Sequence, residues 1–158
     1  MTEEQWRPCT FVEHARWVEL GLRVEQVDRF KWKAGMLAID CRRRAYRIDE
    51  VNEDEGFLID DAWQRYPDGL VPDLRDPATL ALVLARLREC LCATVWVQPD
   101  LSGDANEEGT IMYQEHEAWS VYRANPNCGQ IERIGEGGDY AEALVDAMES
   151  AHNVWGSR

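Results

Sequence analysis

Asp104 to Glu115 carries a spacing that could hold a metal ion. With Asp104 as position one, oxygen-bearing side chains fall at one, three and five (Asp104, Asn106, Glu108). Gly109 stands at six, Ile111 at eight and Glu115 at twelve, the ligand order of an EF-hand loop. Calcium takes about six to eight hard oxygens, which these side chains, the Thr110 carbonyl and a bidentate Glu115 would supply. The flanks oppose this reading. Ala93 to Gln98 (ATVWVQ) followed by Pro99 has the composition of a strand and its end, not of an incoming helix. Position five is the longer Glu108 and position nine is Met112. A hairpin loop accounts for the same residues, and no metal or other cofactor is expected.

Covalent chemistry has thinner support. Ser102 and Ser120 lack a G-x-S-x-G setting, and no phosphate loop follows any apolar run. Gly135-Glu136-Gly137-Gly138 precedes a helical pattern but ends in Asp139, whose charge repels phosphate. Cys9, Cys41, Cys90, Cys92 and Cys128 form no C-x-x-C pair, and His14, His116 and His152 lie far apart, so zinc spacing is absent. The cysteines read as small apolar thiols in a reducing compartment. His116 between Glu115 and Glu117 reads as an exposed histidine, and Arg42-Arg43-Arg44 as a solvated turn. No catalytic residue is assigned, and the chain is read as non-enzymatic.

Charge is more informative. Thirty acidic against 17 basic residues leave a net charge of −13, which repels nucleic acid and anionic membranes and favours a basic protein partner. The acids cluster: Asp49, Glu50, Glu53, Asp54, Glu55, Asp60 and Asp61 stand together with no base among them, and Glu107 and Glu108 belong to a second acidic run from Asp100 to Glu117. Such runs are ordinarily solvated loops. Trp63 lies beside the first run, and an exposed aromatic among acids can anchor a protein interface.

These side chains need a scaffold, and 158 residues with 45% hydrophobic content suffice for one domain with its own core. The ends, about residues 1–9 and 153–158, are expected to be loose. No stretch is apolar enough for a membrane span, and the start lacks a signal-peptide pattern, so a soluble cytoplasmic protein is expected. The strongest element signal is Asp76-Pro77, a helix cap followed by a first-turn proline. Leu80, Val83, Leu84, Leu87 and Leu91 then repeat on one face, with Pro72 marking the loop before. Thr10 with Glu13 opens a first helix to about Leu20, its face formed by Phe11, Ala15, Val18 and Leu22 and its stop supplied by Gly21. Gly138-Asp139 opens the last, with Ala141, Leu144, Val145, Met148 and Ala151 on one face.

Residues 24–33 read as a connector. Met36 to Cys41 and Ala45 to Val51 read as a hairpin, Gly56 to Asp60 as a third strand, and Asp61 to Val71 as loop. Further strands are expected at Ala93 to Gln98, Thr110 to Arg123 and Gln130 to Ile134, with 101–109 as loop. The economical fold is α+β, an antiparallel sheet with amphipathic helices packed on one face in a single domain.

The run Pro72-Asp73-Leu74-Arg75-Asp76-Pro77-Ala78-Thr79-Leu80, Arg86-Leu87-Arg88-Glu89 after it, Gly21-Leu22, Gly35-Met36-Leu37 and the final Glu142-Ala143-Leu144-Val145-Asp146-Ala147-Met148-Glu149 resemble a family of small phage and prophage proteins of uncharacterised function. The resemblance implies a phage origin, a bacterial host cytoplasm and an accessory or host-manipulating role. It implies no catalytic residues. The function expected is binding of a basic protein through an acidic surface. An acidic nucleic-acid mimic that inhibits a host defence complex is the alternative, and behind these stand a calcium-binding loop protein and a small enzyme.

Overall fold

The computed structural model describes residues 11–40, 42–54, 56–64, 69–99, 103–105, 111–113 and 118–155. Its fold is α+β, with antiparallel strand pairing throughout the described residues. The chain forms two compact units, Met1–Val83 and Leu84–Arg158, divided inside the second helix. Among the described residues no helix is long and apolar enough to cross a membrane.

The N-terminal unit begins with α1 (Phe11–Glu25). Thr10 lies outside the described residues, as do the surroundings of the Phe11 side chain. The helix runs through Gly21 instead of stopping there, and it buries a different stripe from the one expected. Ala15 and Leu22 are exposed, whereas His14, Leu20, Gly21 and Val24 are buried. The reason is close approach. A Cβ on Gly21 would stand 2.5 Å from the Pro72 carbonyl oxygen and 2.9 Å from a Val71 methyl, so the absent side chain lets α1 lie on the strand. His14 is accommodated through its Nε2, 3.0 Å from the Asp40 carbonyl oxygen.

That strand is β6 (Val71–Pro72), which pairs with β1 (Leu37–Ile39), and β1 pairs in turn with β2 (Ala45–Arg47). Pro72, expected in loop, sits on a sheet edge, where its missing N–H leaves no ladder bond unmade. Asp40 stabilises the turn between β1 and β2. Its carboxylate accepts from the Arg42 and Arg44 N–H groups, both at 2.9 Å, and from Arg44 Nε at 3.0 Å. Burial would raise the Asp40 pKa, but these bonds outweigh it and hold the group below its ordinary range.

Only the first part of the expected strand Ala45 to Val51 belongs to this hairpin. The chain leaves it after Ile48 and enters a separate meander of β3 (Glu50–Asn52), β4 (Gly56–Ile59) and β5 (Ala62–Gln64). The last of these lies where loop was expected.

Helix α2 (Pro77–Leu91) starts at the expected residue. Asp76 caps it: the Thr79 N–H and Oγ1 both donate to Asp76 Oδ2, at 3.0 and 2.8 Å. Both Asp76 oxygens also receive the Arg47 guanidinium, at 2.7 and 3.0 Å, and Arg47 donates further to the Gly35 carbonyl at 2.8 Å. Thr79 Oγ1 accepts from the Leu37 N–H at 2.8 Å, so one capping aspartate ties a helix start to two strands. Burial opposes ionisation of Asp76, yet the Arg47 and Thr79 bonds prevail and lower its pKa. Val83, Leu84 and Leu87 are buried as the periodicity requires, while Leu80 and Leu91 are half-buried.

The C-terminal unit holds β7 (Thr94–Pro99), a ribbon of β8 (Gly103–Ala105) and β9 (Ile111–Tyr113), then β10 (Trp119–Ala124), β11 (Ile131–Gly137) and α3 (Tyr140–Trp155). The expected strand from Thr110 to Arg123 is thus two strands, with residues 114–117 outside the described part, and residues 103–105 of the expected loop form β8. The larger sheet has the order β11-β10-β7.

α3 packs on one face of that sheet. Asp139 Oδ1 accepts the Glu142 N–H at 2.9 Å, the cap that the sequence calls for. Ala141, Leu144, Val145, Met148 and Ala151 are all buried, and so are Ala143 and Ala147. The small residues have a purpose: Cβ atoms on Gly135 and Gly137 would fall 2.6 Å and 2.5 Å from backbone nitrogens of α3. The glycine run weighed as a phosphate cradle is therefore a helix-packing seam.

Candidate protein-binding surface

The meander β3-β4-β5 carries the first acidic run and Trp63, and its register sorts those residues between two faces. Glu50 pairs with Leu58 and Leu58 with Trp63, so these three form one cross-strand row. Val51, Phe57 and Gln64 form the alternate row, and Ile59 shares its face with them. Phe57 and Ile59 are 1% and 8% exposed, which makes theirs the core face. Trp32 packs on Phe57 with ring centroids 5.0 Å apart.

The opposite face is therefore turned outward. There Trp63 is 41% exposed, beside half-buried Leu58 and exposed Glu50. Leu58 was not among the residues singled out from sequence, although the alternation in Gly-Phe-Leu-Ile places it opposite Phe57 and Ile59.

The acids bracket this row. Glu53 and Asp54 occupy the β3–β4 turn, Asp60 and Asp61 the β4–β5 turn, and Asp49 precedes β3; all are exposed. The Asp54 N–H donates to Asn52 Oδ1 at 2.8 Å. Asp60 and Asp61 have φ of 49° and 63°, the left-handed region that a two-residue hairpin turn demands. Among the described residues, none of Asp49, Glu50, Glu53, Asp54, Asp60 and Asp61 has an ion-pair partner. The four residues of β4 span roughly 10 Å, little more than the Debye length of about 8 Å at physiological salt, so carboxylates at both turns act on the same approaching molecule. An apolar centre with unneutralised acid at both ends can dock a basic surface that brings its own apolar contact.

Glu55, Glu107 and Glu108 lie outside the described residues. Of the calcium candidates, Asp104 lies in β8 directly opposite Met112 of β9, while Asn106, Thr110 and Glu115 are outside the described part. No group of three or more His, Cys, Asp or Glu that could hold a metal occurs among the described residues. Ser120 is fully buried in β10, and His116, Ser102, Cys9 and Cys41 fall outside the described residues. Cys90 is half-buried, whereas Cys92 and Cys128 are exposed.

The structure does not gather nucleophile, base and orienting group from these candidates within its described residues. A further aromatic pair on β7 and β10 stacks Trp96 on Tyr122, with ring centroids 5.9 Å apart. No family model matches the chain, and neither a characterised protein nor a solved structure does.

Proposed function

We propose that this chain is a non-enzymatic binding protein that docks a basic protein surface on the outward face of β3-β4-β5, with Trp63 as the anchor. The observation that supports this reading is the row Glu50, Leu58, Trp63 on a solvent-facing sheet, bracketed by carboxylates without ion-pair partners among the described residues. Truncating a tryptophan that serves as an interface hot spot typically costs about 2 kcal/mol or more of binding free energy. Surrounding acids contribute to the rate and specificity of encounter more than to final affinity. On the resemblance to small phage and prophage proteins read from the sequence, we propose an accessory role for such binding inside a bacterial host.

A second reading, an acidic inhibitor occupying the nucleic-acid channel of a host defence complex, rests on the charge of −13 and on the paired acidic turns. One experiment tests both. The tagged chain and its Trp63→Ala variant are used to capture partners from host lysate over a range of salt. A stoichiometric basic partner that is lost with Trp63→Ala, while circular dichroism is unchanged, supports the proposal. A partner that is itself a nucleic-acid-handling complex, displaced by added DNA or RNA, selects the second reading. Capture of no partner by the wild-type chain overturns both.

A further inference from the structure

We infer that the partner supplies an extended basic segment that adds to the open edge of β5 as a further strand, a deepening that rests on the binding reading above. The turn between β4 and β5 holds two residues with positive φ, and hairpins of this kind close with hydrogen bonds between the flanking pair, here Ile59 and Ala62. Antiparallel pairs alternate. Phe57 with Gln64 is then also hydrogen-bonded, and Leu58 with Trp63 is not. The N–H and C=O of Trp63 therefore point away from β4, toward the edge.

All three residues of β5 are exposed, and among the described residues β4 is its sole strand neighbour. The sheet β11-β10-β7 treats its edges differently. On β11 the Glu136 N–H donates to the Asp146 carboxylate of α3 at 2.9 Å, and on β7 the Val95 carbonyl accepts from Arg88 Nε of α2 at 2.8 Å. Each edge there is plugged by a helix side chain, the usual protection against unwanted strand addition. No described side chain does this for β5.

The chemistry of the incoming segment follows from its neighbours. The residue that pairs with Trp63 projects its side chain onto the Trp63 and Leu58 face, which favours an apolar group. Asp60 and Asp61 stand two and one residues before β5, so Lys or Arg adjacent in the segment meets exposed carboxylate within roughly one strand step of about 3.3 Å. The occupant is thus a strand alternating basic and apolar residues.

The probe is a capped seven-residue peptide alternating Lys and Val, compared with an analogue N-methylated at every second residue. The two share charge and side chains, but the methylated one cannot donate along one edge. Binding is measured on the isotope-labelled full chain by amide shifts and exchange. The unmethylated peptide is expected to bind at least about tenfold tighter than its N-methylated analogue and to slow exchange of the Trp63 amide by at least about tenfold. Neutralising the turn as Asp60→Asn with Asp61→Asn is expected to weaken binding and flatten its salt dependence. Equal affinity of the two peptides, or no binding at about 1 mM, overturns strand addition. The capture experiment with Trp63→Ala reports separately on the face itself, so either idea can fail without the other.

Discussion

Asp76 should be the most sensitive surface-proximal carboxylate in the N-terminal unit, and the size of its effect can be worked from its contacts. Asp76→Ala removes the acceptor for the Thr79 N–H, a helix cap worth about 1 kcal/mol. It also strips the buried Thr79 hydroxyl of its acceptor, which costs about 1 kcal/mol more. The third loss is the two-pronged contact with Arg47. Breaking a fully buried pair costs about 3–5 kcal/mol, but the Arg47 side chain is 38% exposed against 11% for Asp76, so solvent screening reduces this to about 1 kcal/mol. The sum is about 3 kcal/mol, a large share of the ~5–15 kcal/mol that holds a domain of this kind together.

Asp76→Asn separates the contributions. Asparagine caps helices as well as aspartate does, but it offers one oxygen where the native residue uses two. It should therefore cost about 1–2 kcal/mol. Urea unfolding at neutral pH, followed by circular dichroism and tryptophan fluorescence, measures both. With a slope of about 2 kcal/mol per molar, Asp76→Ala should lower the midpoint by about 1.5 M with the slope unchanged. A shift equivalent to less than about 1 kcal/mol, or equal shifts for the two variants, would refute the assignment of Asp76 as joint cap and ion-pair partner.

Acid titration gives a second check. Asp76 and Asp40 have folded-state pKa values below the ordinary 3.8, so the unfolded chain takes up their protons first as pH falls. Their stabilisation is complete above about pH 4 and drains away as pH drops through the lowered values, and Asp76→Asn should flatten that limb of the stability curve. Glu25 runs the other way. Burial raises it above 4.5, so Glu25→Gln should stabilise the fold at neutral pH, with the gain in melting temperature vanishing once the carboxyl is protonated. In the C-terminal unit, Gly135→Ala places a Cβ 2.6 Å from the Ala147 nitrogen and 2.8 Å from the Ala143 oxygen, backbone atoms that cannot swing aside. Thermal unfolding should show a loss of at least about 2 kcal/mol; a neutral substitution would mean that α3 does not sit this close.

The helices were largely legible because their starts are written in local chemistry. Asp76-Pro77 and Gly138-Asp139 each place a side-chain acceptor at the first free N–H groups, and no distant residue is needed to read that. The face of α3 was legible for a related reason: its apolar residues are also its buried ones. In α1 the two diverge. His14 and Gly21 are buried for reasons supplied by Asp40 and Pro72, residues far along the chain, whereas Leu22 is apolar and 45% exposed. Hydropathy cannot see either cause.

Strand β5 was missed because Ala62-Trp63-Gln64 is short and its turn, Asp60-Asp61, lacks the glycine that marks such hairpins. Pro72 reads as loop because proline cannot donate in a ladder, a rule that lapses on a sheet edge. Of the candidate site, the acids and Trp63 were visible in the sequence. Their division between the two turns, and the presence of Leu58 between them, required the register.

The Asp60-Asp61 turn has a meaning in evolutionary terms. Both residues hold backbone angles that glycine or asparagine adopts at lower cost, and they set two like charges side by side. A lineage selected for persistence alone would drift toward Asn-Gly at this corner, since one or two base changes could relieve both strain and repulsion. The turn as it stands trades some durability for two adjacent negative charges.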